Sequence, residues 1–78
     1  MRITYDPDAD AAFIYLVDSI QNGQVAQSHM CDLEIREGAV ILAMDQQQRL
    51  LGIEILGAAK LLPQVVLEQS EHPGASAT

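Results

Sequence analysis

Two apolar runs decide the fold of this chain, and each follows a polar turn. They are Tyr5-Asp-Pro-Asp-Ala-Asp-Ala-Ala-Phe-Ile-Tyr-Leu16 and Leu50-Leu-Gly-Ile-Glu-Ile-Leu56, the second preceded by Asp45-Gln-Gln-Gln-Arg49. Their branched and aromatic side chains favour β-strands. Pro7 suits an early turn position, and the aspartates beside it can accept hydrogen bonds from nearby backbone amides. Both runs are therefore predicted to be strands that leave tight turns. A helix over residues 8–17, which the alanines favour, is the less favoured interpretation.

Outside these runs, alternating or apolar segments predict three further strands. Two of them are residues 2–5 and residues 39–44. The third begins near residue 25 and reaches residue 31, with a possible extension to residue 35. The two quoted runs then supply strands at residues 12–17 and 49–56. Short connections favour antiparallel pairing, since parallel strands need long crossovers. The predicted fold class is α+β, a small antiparallel β-meander of four to five strands with a short C-terminal helix packed on it.

The C-terminal third predicts the helix and a tail. Residues 58–62 favour a helix after Gly57, and Pro63 is expected to break it or to start a second helical turn. Leu61, Leu62, Val65 and Val66 recur at helical spacing and give an apolar stripe for the sheet. Polar and small residues follow. We therefore expect one domain over residues 1–68 and a disordered tail over residues 69–78.

Composition narrows the classes of partner. The chain has 78 residues, eleven acidic against four basic, and a formal net charge of -7. Such a charge disfavours direct binding to nucleic acid, and no apolar run is long enough to cross a membrane. Cys31 is a lone thiol, which fits a reducing compartment. Without a recognisable signal peptide, the expected location is cytoplasmic.

Apolar residues on both faces of the predicted sheet indicate a second chain. An antiparallel sheet with one solvated face should carry polar residues there, yet residues 12–17 and 50–56 are apolar on both sides. One short helix can cover only part of one face. The sequence therefore predicts a homodimer or another protein partner, with Tyr5, Phe13 and Tyr15 as the candidate interface residues.

The acidic turn is the first candidate for chemistry. Asp6, Asp8 and Asp10 have the spacing that opens a calcium-binding loop, but Ala11 and Val17 stand where that loop needs glycine and glutamate. Turn capping and solubility are the favoured interpretation, and no metal or other cofactor is assigned.

Glu54 is the second candidate, because an inward carboxylate in an apolar strand is costly unless it is paired. It could act as a general acid or base, but an ion pair or an exposed position is favoured, since no histidine or second carboxylate lies near it in sequence. His29 and Cys31 lie on one strand face and could bind a metal only if a second chain supplied two further ligands.

The chain resembles the YuzE-like bacterial proteins, the family called domain of unknown function 2283. The resemblance covers most of residues 2–62 and rests on the turn and strand in Ile3-Thr-Tyr-Asp-Pro-Asp-Ala-Asp-Ala-Ala-Phe-Ile-Tyr-Leu16 and on Leu50-Leu-Gly-Ile-Glu-Ile-Leu-Gly-Ala-Ala-Lys-Leu-Leu62. The family usually reads Asp-x-Asp-Gly before the last strand, whereas residues 45–48 read Asp-Gln-Gln-Gln and lack that glycine. The resemblance implies a β-rich fold with a C-terminal helix, no agreed activity or cofactor, and an association of some members with toxin–antitoxin-like gene pairs.

Two functions remain open at this point. The favoured one is a non-catalytic interaction or oligomerisation module, because the apolar sheet is two-sided and a complete catalytic set is missing. The alternative is a small-ligand or metal-binding protein, or a minor enzyme, that uses the turn of Asp6, Asp8 and Asp10 together with Glu54. The distance between that turn and Glu54 distinguishes the two.

Overall fold

One antiparallel sheet forms the body of the protein. The structure, a computed structural model, describes residues 1–32 and 37–72. The strands are β1 (Arg2–Asp6), β2 (Ala11–Tyr15), β3 (Gln27–Met30), β4 (Ala39–Met44) and β5 (Leu50–Leu56). Their spatial order is β1-β2-β5-β4-β3, and every neighbouring pair is antiparallel. The predicted fold class is confirmed: a meander of β3, β4 and β5 is joined to the β1–β2 hairpin through the central strand β5.

Two short helices follow the sheet where one was predicted. Helix α1 spans Ala58–Leu61, and α2 spans Gln64–Gln69. Pro63 lies between them with φ of -60° and is the cap residue of α2. Proline suits this position because it has no backbone N–H to donate into the preceding turn. Both alternatives expected for Pro63 occur, since α1 ends before it and α2 begins after it.

The register of the strands separates two faces of the sheet. Ala12 pairs with Tyr5 and Ile55, and Ile55 also pairs with Val40, so these side chains share one face. Both helices pack on this face, which we call the helix face. Its core is Ala12, Ile55 and Ala58, with partly buried neighbours that include Ile14, Ile53, Leu61, Leu62 and Leu67.

The opposite face, which we call the open face, carries a different set of residues. Phe13 and Ile41 flank Glu54 directly, and Tyr15 and Ala43 flank Gly52. The remaining members on β1, β3 and the ends of the strands are Arg2, Thr4, Asp6, Ala11, Ser28, Met30, Ala39 and Leu56. The packing contacts of α1 and α2 go to the helix face.

Some boundaries differ from the predicted ones. Strand β2 ends at Tyr15 rather than residue 17, and β3 covers only Gln27–Met30; the possible extension of β3 to residue 35 falls partly on residues 33–36, outside the described part. Helix α2 continues past the predicted domain boundary at residue 68. Glu71 then lies beside β1, with its N–H donating to Ile3 O at 2.8 Å and its O accepting from Tyr5 N at 2.7 Å. The rest of the expected tail, residues 73–78, lies outside the described residues.

None of the helices in the described part of the chain is both long enough and apolar enough to span a membrane.

Candidate functional site on the open face

The first turn is held together by its own aspartates. The backbone N–H of Asp8 donates to Asp6 Oδ1 at 3.0 Å, and Asp8 itself is exposed. A carboxylate that accepts from an amide two residues later closes a local turn. Asp6 and Asp8 thus form the turn that the sequence predicted, in a solvated position.

Asp10 has a separate task, which is to fasten α1 to the first hairpin. Its Oδ1 accepts from the Tyr5 hydroxyl and from Ala59 N, both at 2.9 Å, and its carbonyl accepts from Gly57 N and Ala58 N at 3.0 and 3.1 Å. Asp10 also adopts a positive φ of 51°, which aspartate tolerates better than most residues. The side chain is therefore committed to Tyr5 and the helix.

The contact with Asp10 changes the pKa of the Tyr5 hydroxyl. Its hydrogen bond to Asp10 raises the pKa of the Tyr5 phenol above the usual value, and partial burial and the negative charges of Asp10 and Asp6 act in the same direction. Tyr5 is part of the packing around the core on the helix face. The structure thus separates Tyr5 from Phe13 and Tyr15, the other two candidate interface residues.

Asp45 is a structural carboxylate that the sequence analysis did not single out. Although only 8% exposed, it accepts from Gln47 N, Arg49 N and Arg49 Nε, each at 2.9 Å. These bonds, led by the one from the Arg49 backbone, hold the pKa of Asp45 below its usual range. The recognisable signal was the aspartate at the start of a turn with an arginine four residues later. This turn shapes the β4–β5 connection.

Glu54 lies apart from the aspartates of the first turn. It stands at the centre of the open face, between Phe13 and Ile41, whereas the Asp10 carboxylate contacts Tyr5 of the helix face. Asp6 shares the open face with Glu54 but belongs to β1, two strands away, which is about 10 Å across the sheet. The four candidate carboxylates therefore occupy three separate environments.

Two surface clefts are large enough to hold a small ligand, so we compared their lining with the candidate carboxylates. One of about 320 Å³ lies between residues 23–24 and the β4–β5 turn, and one of about 240 Å³ lies beside the N-terminus. Neither is lined by Asp6, Asp8, Asp10 or Glu54. Among residues 1–32 and 37–72, no three histidine, cysteine, aspartate or glutamate side chains are grouped so that they could hold a metal ion. His29 Nε2 lies 2.9 Å from Gln27 Oε1.

The aromatic residues of the open face form one cluster. The Phe13 and Tyr15 rings lie 4.7 Å apart between centroids at 56°, and the Arg2 guanidinium lies 4.1 Å from the centroid of the Tyr15 ring. Gly52 makes room for this cluster, since a Cβ there would come within 2.3 Å of a Phe13 ring atom. The result is an apolar cluster on β2 of the open face.

Charged residues lie on either side of β2 on this face, Arg2 on β1 and Glu54 on β5. Phe13, Tyr15, Ile41, Leu56 and Glu54 are each half-buried in the single chain. The side chain of Glu54 makes no hydrogen bond or ion pair with the described residues. Such a surface can bind another largely apolar surface, and its charged residues can select the orientation of the bound surface.

The model of the family described as "Protein of unknown function (DUF2283)" matches residues 2–58. No curated protein matches the chain. No solved structure matches it either.

Proposed function

Since the chain belongs to the DUF2283 family, whose description states no function, we propose its function from its own surfaces. It is a small non-catalytic interaction module, and its working surface is the open face of the sheet. The occupant of that face is a second copy of the same chain. A protein partner, such as one in the toxin–antitoxin-like pairs that the resemblance implies, is the competing occupant.

One observation supports this proposal above the others. Both helices pack on the helix face, and the aromatic cluster with Ile41 stays half-buried on the other. Antiparallel sheets that face water on one side normally alternate apolar and polar residues, so that the wet face is polar. Here the wet face has Phe13, Ile41 and Leu56 along the middle strands.

The alternative, a ligand-binding protein or minor enzyme, finds less support in the geometry. Acid–base chemistry requires its two groups to reach one bound molecule. Asp10 is committed to α1, Asp6 and Asp8 close a solvated turn, and Glu54 faces the open side beside apolar residues. No observation favours this alternative over an interface role for Glu54.

Sedimentation equilibrium of the wild-type chain and of Ile41→Thr tests the proposal. Threonine keeps the branching that strands favour but places a hydroxyl in the interface. Each dimer contains the change twice, because a two-fold interface uses the same patch on both copies. We expect Ile41→Thr to weaken association at least about tenfold, equivalent to about 1.4 kcal/mol.

The control is Val65→Thr, which introduces the same hydroxyl group at a residue that is 56% exposed on α2. It should associate as the wild type does. Circular dichroism checks that both variants remain folded. A monomeric wild-type chain at high micromolar concentration, or equal association of folded Ile41→Thr and wild type, contradicts the proposal.

A further inference from the structure

The connection between β2 and β3 contains a chemically reactive pair of residues, Asn22 and Gly23. Gln24 N donates to Gln21 O at 3.1 Å, so the pair forms the centre of a β-turn. The φ of Gly23 is +79°, whereas the φ of Asn22 is not positive, and this combination is typical of a type II turn. Asn22 is also the only asparagine of the chain. Any reaction of an asparagine side chain in this protein is therefore a reaction of this turn.

An asparagine followed by glycine can lose its side-chain amide without an enzyme, and asparagine is accordingly a thermolabile residue. The backbone nitrogen of Gly23 attacks Cγ of Asn22, and a five-membered succinimide ring forms. The bond from Cγ to the side-chain nitrogen breaks, this nitrogen takes up the proton that the Gly23 N–H gives up, and ammonia leaves. One water molecule then opens the ring at either carbonyl. The products are aspartate and isoaspartate, and water is the only co-reactant.

The surroundings of the turn leave this attack unobstructed. Asn22 and Gly23 are both exposed. A Cβ placed on Gly23 would meet no atom within 4 Å, so nothing packs against the attacking residue. Neither the Gly23 N–H nor the Asn22 side chain makes a hydrogen bond with the residues that the structure describes. The nucleophile and the amide it attacks therefore need no release from a protein partner.

The turn has to open before the ring can close, because the Gly23 nitrogen must rotate towards the Asn22 side chain. Two hydrogen bonds hold the turn: the one from Gln24 N to Gln21 O, and one from Gln21 N to Gln24 Oε1 at 2.8 Å. Gln21 is exposed, so water can replace both bonds. An exposed turn of this kind opens locally while the sheet stays folded.

We propose that Asn22 is a site of spontaneous deamidation in the folded protein, with isoaspartate and aspartate as the products. The reaction adds one negative charge to a chain whose formal net charge is -7. Isoaspartate also adds one methylene group to the main chain of the turn. Gly23 and Gln24 line the same cleft as Asp45 and Arg49, so the new carboxylate forms next to that cleft. This inference is independent of which molecule covers the open face.

Mass spectrometry of the full chain during incubation at mildly alkaline pH tests the proposal. The mass should rise by about 1 Da as the amide becomes a carboxyl group. Peptide mapping should locate the change at residue 22, and methylation by an isoaspartyl methyltransferase should detect the isoaspartate. The reference is a synthetic peptide of residues 19–26, which has the same reactive pair without the fold. We expect the folded chain to react within about tenfold of the rate of this peptide.

Two variants identify the attacking and the attacked group. Gly23→Ala places a methyl group beside the attacking nitrogen and should slow the reaction about tenfold or more. Asn22→Gln keeps an amide, but its ring would have six members and closes far more slowly, so no conversion at residue 22 is expected over the same time. Circular dichroism checks that both variants are folded.

Each outcome decides the matter. If the peptide converts while the folded chain stays intact, the turn protects Asn22 and the proposal is wrong. It is also wrong if the mass change maps to a glutamine, or if folded Gly23→Ala converts as fast as the wild type. Conversion at residue 22 in the folded chain, slowed by Gly23→Ala and lost in Asn22→Gln, supports it.

Discussion

At the scale of single residues, three aspartates of this protein hold turns and anchor a helix. Asp6, Asp10 and Asp45 each accept backbone N–H groups. The sequence predicted this role for the first turn, because aspartates next to proline favour it. It did not predict that Asp10 reaches residue 59, because that contact depends on how α1 returns to the sheet.

Removal of the Asp10 carboxylate should loosen α1. Asp10→Ala loses the acceptor for Ala59 N and for the Tyr5 hydroxyl, and alanine tolerates the positive φ less well. We expect the free energy of unfolding to fall by about 1–2 kcal/mol. The control Asp8→Ala, at an exposed side chain, should change it by less than about 0.5 kcal/mol. Urea denaturation measures both, and equal effects would contradict the anchoring role.

Gln48 occupies the turn position for which the resemblance to the family implies glycine, and its φ is +62°. Glycine adopts this conformation without steric cost, whereas most residues are strained there. We expect Gln48→Gly to leave stability unchanged or to raise it by up to about 1 kcal/mol. Gln46→Gly, two residues earlier at a position without positive φ, should lower it. A larger loss for Gln48→Gly than for Gln46→Gly in thermal melts would be inconsistent with this account of the turn.

The shifted pKa values of Asp45 and Tyr5 predict how the stability of the fold depends on pH. The pKa of Asp45 is lowered in the folded state, so its contribution is complete above the unfolded value near 3.8 and is lost as the pH falls below it. The pKa of Tyr5 is raised, so its contribution is complete below the unfolded value near 10 and is lost as the pH rises above it. Thermal melts of wild type, Asp45→Asn and Tyr5→Phe from pH 3 to 11 test this. Asp45→Asn should flatten the acid limb and Tyr5→Phe the alkaline limb, and unchanged limbs would refute the assignment.

At the scale of elements, local patterns predicted most of the sheet. The branched and aromatic runs located β2, β4 and β5, and the helices follow Gly57 on either side of Pro63 as expected. The pairing of β2 with β5 could not be predicted from the sequence. The two strands are separated by more than thirty residues, and no local sequence signal indicates their contact. The same is true of the site: alternation placed Phe13 and Tyr15 on one face, but only the assembled sheet shows that Arg2 and Glu54 flank them.

The edge of β1 is protected by a segment that composition assigned to the tail. Glu71 makes two backbone hydrogen bonds to β1. A chain that ends at Ser70 should therefore be less stable than one that ends at His72, by about 1–3 kcal/mol for the two lost bonds. Urea denaturation of the two truncated chains provides the comparison. Equal stability would show that residue 71 does not support the edge.

At the scale of the whole molecule, the described residues enclose a small core. Its largest buried aliphatic side chains are Leu51 and Ile55, and no large side chain of the described part is fully buried. A domain of this size buries only about 60% of the surface of its unfolded chain, so its stability is marginal. Burial of the open face against a second copy would add apolar area that the single chain lacks.

If a second copy covers the open face, the stability of the fold depends on protein concentration. Because the proposed dimer contains only folded chains, a higher protein concentration should stabilise the folded state. The melting temperature of the wild type should rise by several degrees between about 5 and 500 μM. Ile41→Thr should show a smaller rise over the same range, and Val65→Thr the same rise as wild type. A melting temperature independent of concentration for the wild type would contradict the linkage.

The most direct test of the central claim, that a second copy covers the open face, is the solution mass of the wild-type protein. Light scattering coupled to gel filtration should give twice the 8.5 kDa mass of the chain at high micromolar concentration, and dilution should lower the mass towards that of one chain. A constant mass of 8.5 kDa at every concentration would contradict the account.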